Sequence, residues 1–543
     1  MGFLSLVEDR PTPRAVYNAR VVSCAVIASF ASCMIGYDSA FIGTTIALDS
    51  FVTEFHLDAL SSARRAVISA NIVSIYQAGA FFGALAAFLA AHFAGRRAAL
   101  QLFVTIFILG AGLSLGASGA RGLGILYASR ALTGLGVGGA SNVTPIYIAE
   151  LAPPAARGRL VGLYELGWQV GGLVGFWINY GLALHVAPSH KQWLIPFAVQ
   201  LIPAGLLALG TLWIRESPRW LFQRGRRAAA VANLCWVRRL PPNDPYVVEE
   251  ITQIDAAVAD AGTSFLQPFR DVAQSRSIQW RLFLGGALFF WQNGSGINAI
   301  NYYSPAIFRS LGLSSQTATF FTTGLFGVVK TTLTLLWLAL VVDTAGRRPV
   351  LIVGALGGSA AMWAIGAYVK IVGVNTSGSG GGLSGGGVVA IFFFYLWTAF
   401  YVPSWNGTPW VLNAELFPAR VRALGQASAA ANNWLWNFLV SRFTPQLFLA
   451  LHAHGVYFLF AALMLCSAPF VWLLVPETKG VPLEAVGRLF EVRPVRRAHA
   501  VVMTGLRAEA VGETHMVREV REVREEGSEA GTGDEEKDES VVT

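Results

Sequence analysis

Twelve apolar runs, each about 20 residues or longer, follow one another along this chain with charged or Gly/Pro-rich breaks between them. They lie near 21–46, 66–91, 98–118, 122–146, 158–184 and 192–214, then near 281–308, 317–342, 349–373, 388–413, 424–446 and 454–475. Runs of this length are at home in hydrocarbon, where hydrogen-bonded helices satisfy the backbone without water. The balance of 54% hydrophobic to 13% charged residues excludes an ordinary soluble domain. The sequence predicts an all-α membrane protein with twelve transmembrane helices in two pseudo-symmetric six-helix halves. Its segments are a cytoplasmic N-terminus (1–20), a first half (21–214), a cytoplasmic linker with short helices (215–280), a second half (281–480) and a cytoplasmic tail (481–543).

Charge sets the orientation. Arg96/Arg97, Arg157/Arg159, the arginines of 215–281, Arg347/Arg348 and Arg420/Arg422 all fall in breaks on one side. The other side carries mostly isolated cations such as Arg121, Lys191 and Lys370, with Arg64/Arg65 as the exception. The positive-inside rule then places both termini in the cytoplasm. A net charge of +8 spread through short membrane loops points to orientation, not to nucleic acid. Cys24, Cys33 and Cys466 lie in apolar runs and Cys235 in a basic loop, with no zinc or disulfide spacing. No nucleophile–base set, metal-ligand spacing, cofactor motif or phosphate loop is visible, so an enzyme is not expected. The Gly/Ser-rich loop 376–387 should be a flexible outer connection beside a sequon at Asn375, and the acidic tail end reads as solvated and disordered.

The two halves repeat. Gly95-Arg96-Arg97 recurs as Gly346-Arg347-Arg348, and Glu150 precedes Arg157 by the same spacing as Glu415 precedes Arg422. Arg215-Glu216-Ser217-Pro218-Arg219 is echoed by Pro476-Glu477-Thr478-Lys479-Gly480. Internal duplication in a membrane protein points to a transporter with its site between the repeats.

Phe290–Pro305 interrupts the seventh run with Gln292, Asn293, Asn298 and Asn301, together with Gly294, Gly296 and Pro305. Amides in hydrocarbon are costly unless they meet a partner or a water-filled cavity, and Gly and Pro loosen the helix. The stretch reads as a polar, hinged wall of a solute pathway; interhelical hydrogen bonding without a ligand is the alternative. Asp38 in the first run and Arg130 in the fourth each cost about 2.5–3.5 kcal/mol alone in a membrane, so partners or protonation are expected.

These motifs, in order, resemble the sugar-porter branch of the major facilitator superfamily over roughly 15–490. The resemblance rests on Gly36-Tyr37-Asp38, Arg130 with Gly134, Gly136 and Gly138, the half-repeats, Gln292 with Gly296-Ile297-Asn298, Pro409-Trp410 and Pro476-Glu477-Thr478-Lys479-Gly480. Within the branch, Gly36–Gly43, Leu163–Gln169 and Gly175–Gly181 are similar to the fungal quinate permeases.

The resemblance implies proton coupling by Asp38 and Arg130, with protonation of Asp38 releasing Arg130. It implies hydroxyl-binding roles for Gln292, Asn293, Asn298 and Asn433, a ring-stacking face from Trp410, and outer-gate closure by Tyr302 and Tyr303. Asn301 joins them by helical phase alone. Arg96, Arg97, Glu150, Arg157, Asp343, Arg347, Arg348, Glu415 and Arg422 are expected to form ion-pair latches holding the halves together on the cytoplasmic side. Glu216 and Arg219 would extend that gate.

The chain departs from the branch at two positions. Glu165 stands where sugar porters usually have a sugar-binding Gln; it is read as a hydrogen-bond donor to substrate, a second proton site or a structural partner. His92 stands where the first-half motif usually has Asp, so a weaker or pH-sensitive latch is expected. Lys330, mid-way along the eighth run, and then Arg442 in the eleventh, are candidate counter-charges for an anionic substrate; Lys330 neutralising Glu165 or Asp38 is the alternative. The expected function is proton-coupled import of quinate or a similar polyhydroxylated ring at the plasma membrane by a monomer in the lipid bilayer. A neutral monosaccharide importer and a non-transporting nutrient sensor are the alternatives.

Overall fold

The computed structural model describes residues 12–261, 265–311, 313, 315–341, 345–372, 385–418, 420–481, 485–506 and 508. Asp343, the sequon, most of the Gly/Ser-rich loop and the acidic tail end lie outside the described residues.

The first half comprises α1 (Ala19–Thr45), the short α2 (Asp49–Glu54), α3 (Ser62–Phe93), α4 (Arg96–Ser114), α5 (Gly119–Leu151) and α6 (Arg157–His185). Its last crossing is split into α7 (His190–Val199) and α8 (Leu201–Trp213). Four short helices follow on the arginine-rich face: α9 (Pro218–Gln223), α10 (Arg227–Arg238), α11 (Pro245–Ala261) and α12 (Gln267–Gln274). The second half comprises α13 (Arg276–Gly294), α14 (Ile297–Ser310), α15 (Gln316–Leu336), α16 (Arg347–Val372), α17 (Gly385–Tyr401), α18 (Thr408–Leu416) and α19 (Arg422–Leu474). Among the described residues, eight helical spans are long and apolar enough to cross a membrane.

In the second half two of the predicted runs break, and each break has a local cause. The seventh crossing stops at Gly294 and restarts at Ile297, because Gly296 takes the left-handed conformation (φ +87°). Beyond it Tyr303 leaves helical geometry two residues before Pro305. The tenth crossing widens into a π-helical turn, Val402–Asn406, between α17 and α18, where Pro403 withholds a backbone donor. The predicted eleventh and twelfth runs follow one another as α19, with a kink between them at His452 (φ 57°).

Within the first half α1 packs on α6, and α3 and α4 pack on α5; in the second, α16 packs on α17 and α19. Across the halves α3 meets α19, α6 meets α15 and α1 meets α14. Lipid tails are as apolar as these side chains, so close approach replaces the hydrophobic drive. Gly36 shows it: a Cβ there would run into the carbonyl of Trp168 on α6.

Gly296 combines positive φ with a Phe460 ring lying where a Cβ would project. Gly296→Ala should cost about 1–2 kcal/mol in backbone strain alone. A lowered midpoint of thermal unfolding in detergent, alongside wild-type protein, checks this.

Candidate functional site

The site grows from one buried ion pair. Asp38 on α1 and Arg130 on α5 are 0% and 1% exposed, with Nη1 to Oδ1 at 2.5 Å. Arg130 Nε also donates to the Ile72 carbonyl on α3 (3.1 Å), and its guanidinium stacks 4.4 Å from the Tyr76 ring centroid. Arg130 thus keeps a carbonyl and an aromatic face if Asp38 is neutralised. Asp38 Oδ2 is buried without a hydrogen-bond partner, so one carboxylate oxygen is held and the other is free to take a proton.

The amides of the seventh crossing form a relay at the helix break. Asn298 donates to Asn293 Oδ1, and Asn293 Nδ2 donates to the Phe289 carbonyl (2.8 Å) and Asn433 Oδ1 (3.3 Å). Gln292 Nε2 is committed elsewhere, donating to the carbonyls of Trp405 and Asn406 in the π-turn (both 2.8 Å). A π-turn frees carbonyls that need donors, and Gln292 supplies one. Trp410 packs against Phe289 with ring centroids 4.7 Å apart.

A narrow cleft between the halves is lined by Ser39, Trp168, Gln169, Asn301, Lys330 and Thr331. Asn301 Oδ1 is buried there without a partner, so the residue placed by phase alone does reach the cleft. Lys330 is 7% exposed, and no carboxylate among the described residues lies within 4 Å of it. Its electrostatic partner at longer range is Glu165 on α6. Glu165 Oε1 accepts from Gln169 Nε2 on its own helix (2.9 Å) and from Asn406 Nδ2 of the opposite half (3.0 Å). Arg442 stands apart from this cleft, on α19 beside Tyr303.

On the arginine-rich face the two halves carry matching latches. Arg96 Nη2 meets Glu150 Oε1 at 2.8 Å, and Arg347 Nη2 meets Glu415 Oε1 at 2.9 Å. Glu216 accepts the backbone N–H groups of Arg96 (2.8 Å) and Arg97 (3.1 Å), while Glu477 accepts those of Arg347 and Arg348 (both 3.0 Å). Each carboxylate therefore sits on the N-terminus of a membrane helix, where the helix dipole favours negative charge. Burial still pushes the Glu216 carboxyl above the usual range, against the lowering by its Ser217, Arg97 and Arg96 N–H donors.

These ion pairs differ from the expected latches in one respect: each joins elements of a single half. Across the halves the electrostatic neighbours of Arg157 include Arg422, a like charge. Arg219 is exposed. His92 also departs from the expected latch. Its carbonyl accepts from Trp220 Nε1 (2.9 Å) and Arg224 Nη2 (2.5 Å), and its ring rests against Phe93 and Phe265. Arg97 turns instead to the carbonyls of Thr211 (2.7 Å) and Leu212 (3.1 Å).

On the opposite face the halves touch. The Tyr302 backbone lies directly against Gly43 of α1, and the Tyr303 hydroxyl donates to the Ser441 carbonyl (2.8 Å). Ser39, Gln77 and Asn437 surround the Tyr302 hydroxyl, and Gln316 Nε2 donates to the Ala47 carbonyl (3.0 Å).

Gln77, Gln169, Asn406 and Asn437 were not singled out as site residues. For Asn406 a signal existed: Pro403 and Pro409 frame it in a run that should otherwise be regular helix. Gln77 and Asn437 are isolated amides in long helices, and their convergence on Tyr302 needs the tertiary fold.

Comparison with known proteins agrees with this architecture. The family model described as "Sugar (and other) transporter" matches residues 24–490. The quinate permease of Neurospora terricola is 60% identical over 512 residues, covering 93% of this chain and 95% of that one. The quinate permease of Neurospora africana gives the same figures. Among solved structures, the proton:xylose symporter XylE bound to 6-bromo-6-deoxy-D-glucose superposes with a TM-score of 0.73 at 28% identity, covering 87% of this chain and 99% of that one. The partially occluded inward-open form of XylE from E. coli gives 0.72 at 27% identity, covering 86% and 100%. The chain belongs to the sugar transporter family and is a multi-pass secondary transporter of the major facilitator fold.

Proposed function

We propose that this transporter imports quinate, or a closely similar hydroxylated ring acid, across the plasma membrane together with protons, as a monomer with both termini in the cytoplasm. The observation that carries the substrate reading is Lys330, a cation in the cleft between the halves with no carboxylate of the described residues at ion-pair distance. A neutral sugar has no use for such a charge, whereas a carboxylate gains a charge-assisted hydrogen bond from it. Asn293, Asn298, Asn301 and Asn433 supply amide groups for ring hydroxyls, Gln292 braces the π-turn beside them, and Trp410 offers an aromatic face. The quinate permeases of two Neurospora species, 60% identical over nearly the whole chain, support the same substrate.

The cycle follows from the ion pair. With the outer side open, Asp38 takes a proton on Oδ2 and loosens its hold on Arg130, which rests on the Ile72 carbonyl and the Tyr76 ring. Substrate enters the cleft, and Tyr302 and Tyr303 bring α14 over α1 and α19. The halves then part on the cytoplasmic side, where Arg157 and Arg422 already repel. The latches of Arg96 with Glu150, and of Arg347 with Glu415, keep each half rigid as it rocks. Loss of the proton to the cytoplasm re-forms the Asp38–Arg130 pair and resets the carrier.

Labelled quinate and glucose uptake by transport-deficient yeast expressing this chain tests the assignment. Saturable quinate uptake that a protonophore abolishes is expected. Glucose uptake with quinate ignored, from protein at the cell surface, would overturn it and favour the neutral-sugar reading.

A further inference from the structure

Resting on the substrate proposed above, we infer that Glu165 binds a second proton each time the anionic substrate takes Lys330, so that two protons accompany each carboxylate and the cycle carries one net positive charge inward. The geometry joins four residues. Lys330 and Gln169 line one cleft, Gln169 donates to Glu165 Oε1, and Asn406 donates to the same oxygen from the opposite half. Both recorded donations fall on Oε1, which leaves Oε2 without a donor among the described residues.

That one-sided arrangement is what a proton switch requires. A carboxylate held by donors on both oxygens must lose a bond to become an acid. Glu165 can be protonated on Oε2 and keep both amide donors on Oε1, now its carbonyl oxygen. Asn406 belongs to the π-turn whose carbonyls accept from Gln292, so the bond that spans the halves survives either protonation state.

Charge supplies the drive. In the empty site Glu165 is the carboxylate whose charge reaches Lys330. The other ionisable groups facing Glu165 are the phenols of Tyr164 on α6 and Tyr401 on α17, which bring no positive charge. Arg130, released when Asp38 is protonated, stays on the Ile72 carbonyl and the Tyr76 ring and does not line the cleft. When a substrate carboxylate sits on Lys330, two anions share one cation in a site of low dielectric, and like charges at close quarters force one to take up a proton. The substrate carboxylate gains the ammonium, so Glu165 is the group that protonates. The proton comes from external water and forms the O–H bond on Oε2. It leaves to the cytoplasm when the substrate departs and Lys330 again faces Glu165 alone. Site charge is then unchanged by binding, and the protons on Asp38 and Glu165 against one carboxylate leave a net charge of one.

Two measurements on full-length purified protein test this. In proteoliposomes, an inside-negative potassium diffusion potential at equal pH should drive wild-type quinate accumulation, and Glu165→Gln should lose that response while a pH gradient still drives uptake. In detergent, titration calorimetry of quinate binding in buffers of different ionisation enthalpy counts protons. Asp38→Asn should take up about one proton per quinate, and Asp38→Asn with Glu165→Gln about none. Proton-driven wild-type uptake that ignores the membrane potential, or unchanged proton uptake in the double variant, would overturn the inference while leaving quinate symport intact. Failure of quinate to bind or move at all would instead overturn the substrate reading, and this inference with it.

Discussion

Asp38→Asn cuts proton-driven quinate accumulation by about tenfold per pH unit while leaving exchange of substrate across the membrane. The expectation follows from the partners of the pair. Asp38 Oδ1 holds Arg130 Nη1 at 2.5 Å and Oδ2 is buried without a partner, so a single proton on Oδ2 converts the ion pair into a neutral acid beside a cation. Asn reproduces that neutral state permanently. If the protonated form is a working intermediate, the variant must fold and still carry substrate through the steps that need no deprotonation. It cannot couple those steps to a gradient through position 38, because nothing there then titrates. One pH unit corresponds to about 1.36 kcal/mol per proton, or about tenfold accumulation; the contribution of this proton should vanish. Counterflow of labelled against unlabelled quinate should persist in the same vesicles. Arg130→Ala is predicted to behave differently, because it leaves a carboxylate buried without its partner at a cost of about 3–5 kcal/mol. Low yield and a lowered unfolding midpoint would distinguish it from Asp38→Asn.

Lys330→Gln weakens quinate binding by roughly 10- to 150-fold, from the loss of about 1.5–3 kcal/mol for a hydrogen bond to a charged group. Two features favour an effect at the upper end. Lys330 is 7% exposed and lines the cleft with Asn301, so the contact it makes is largely shielded from solvent. Glu165 is also left without its counter-charge, which adds a like charge for the incoming carboxylate to meet. The loss should appear in KM for quinate. A methyl ester or alcohol analogue of the same ring, which brings no charge, should be transported with its KM changed by less than about threefold, well within the scale of a single weak contact. Equal losses for the acid and its uncharged analogue would make Lys330 a structural partner of Glu165.

Much of this architecture is legible in the sequence because a bilayer permits so few solutions. Runs of apolar residues near the length of a helical crossing locate the candidate spans. Repeated motifs reveal the two halves, since Gly95-Arg96-Arg97 and Gly346-Arg347-Arg348 place their helix starts on the same kind of carboxylate, Glu216 and Glu477. The break at Gly296 is equally readable, because few other residues accept its backbone conformation beside the Phe460 ring.

Side-chain commitments are less legible. Gln292 looks like a hydroxyl ligand in the sequence, yet its donor is taken by the π-turn carbonyls of Trp405 and Asn406. That turn is invisible to periodicity, which sees one apolar run. Asn406 carries the bond to Glu165 across the halves, a contact between residues 241 positions apart. His92 suggests a latch by its place in the motif, but its ring is absorbed by Phe93 and Phe265 from the linker and helix end. In each case the deciding partner comes from another element, and pairwise sequence spacing does not encode it.

The central claim is that the Asp38–Arg130 pair couples proton entry to uptake of an anionic ring. The most direct measurement is quinate accumulation in proteoliposomes of purified protein under an imposed inward proton gradient, with wild type and Asp38→Asn side by side. The account predicts that wild type concentrates quinate against its gradient and that the variant reaches about tenfold less accumulation per pH unit. Accumulation by Asp38→Asn equal to wild type, or wild-type quinate uptake that merely equilibrates under the gradient, would contradict it.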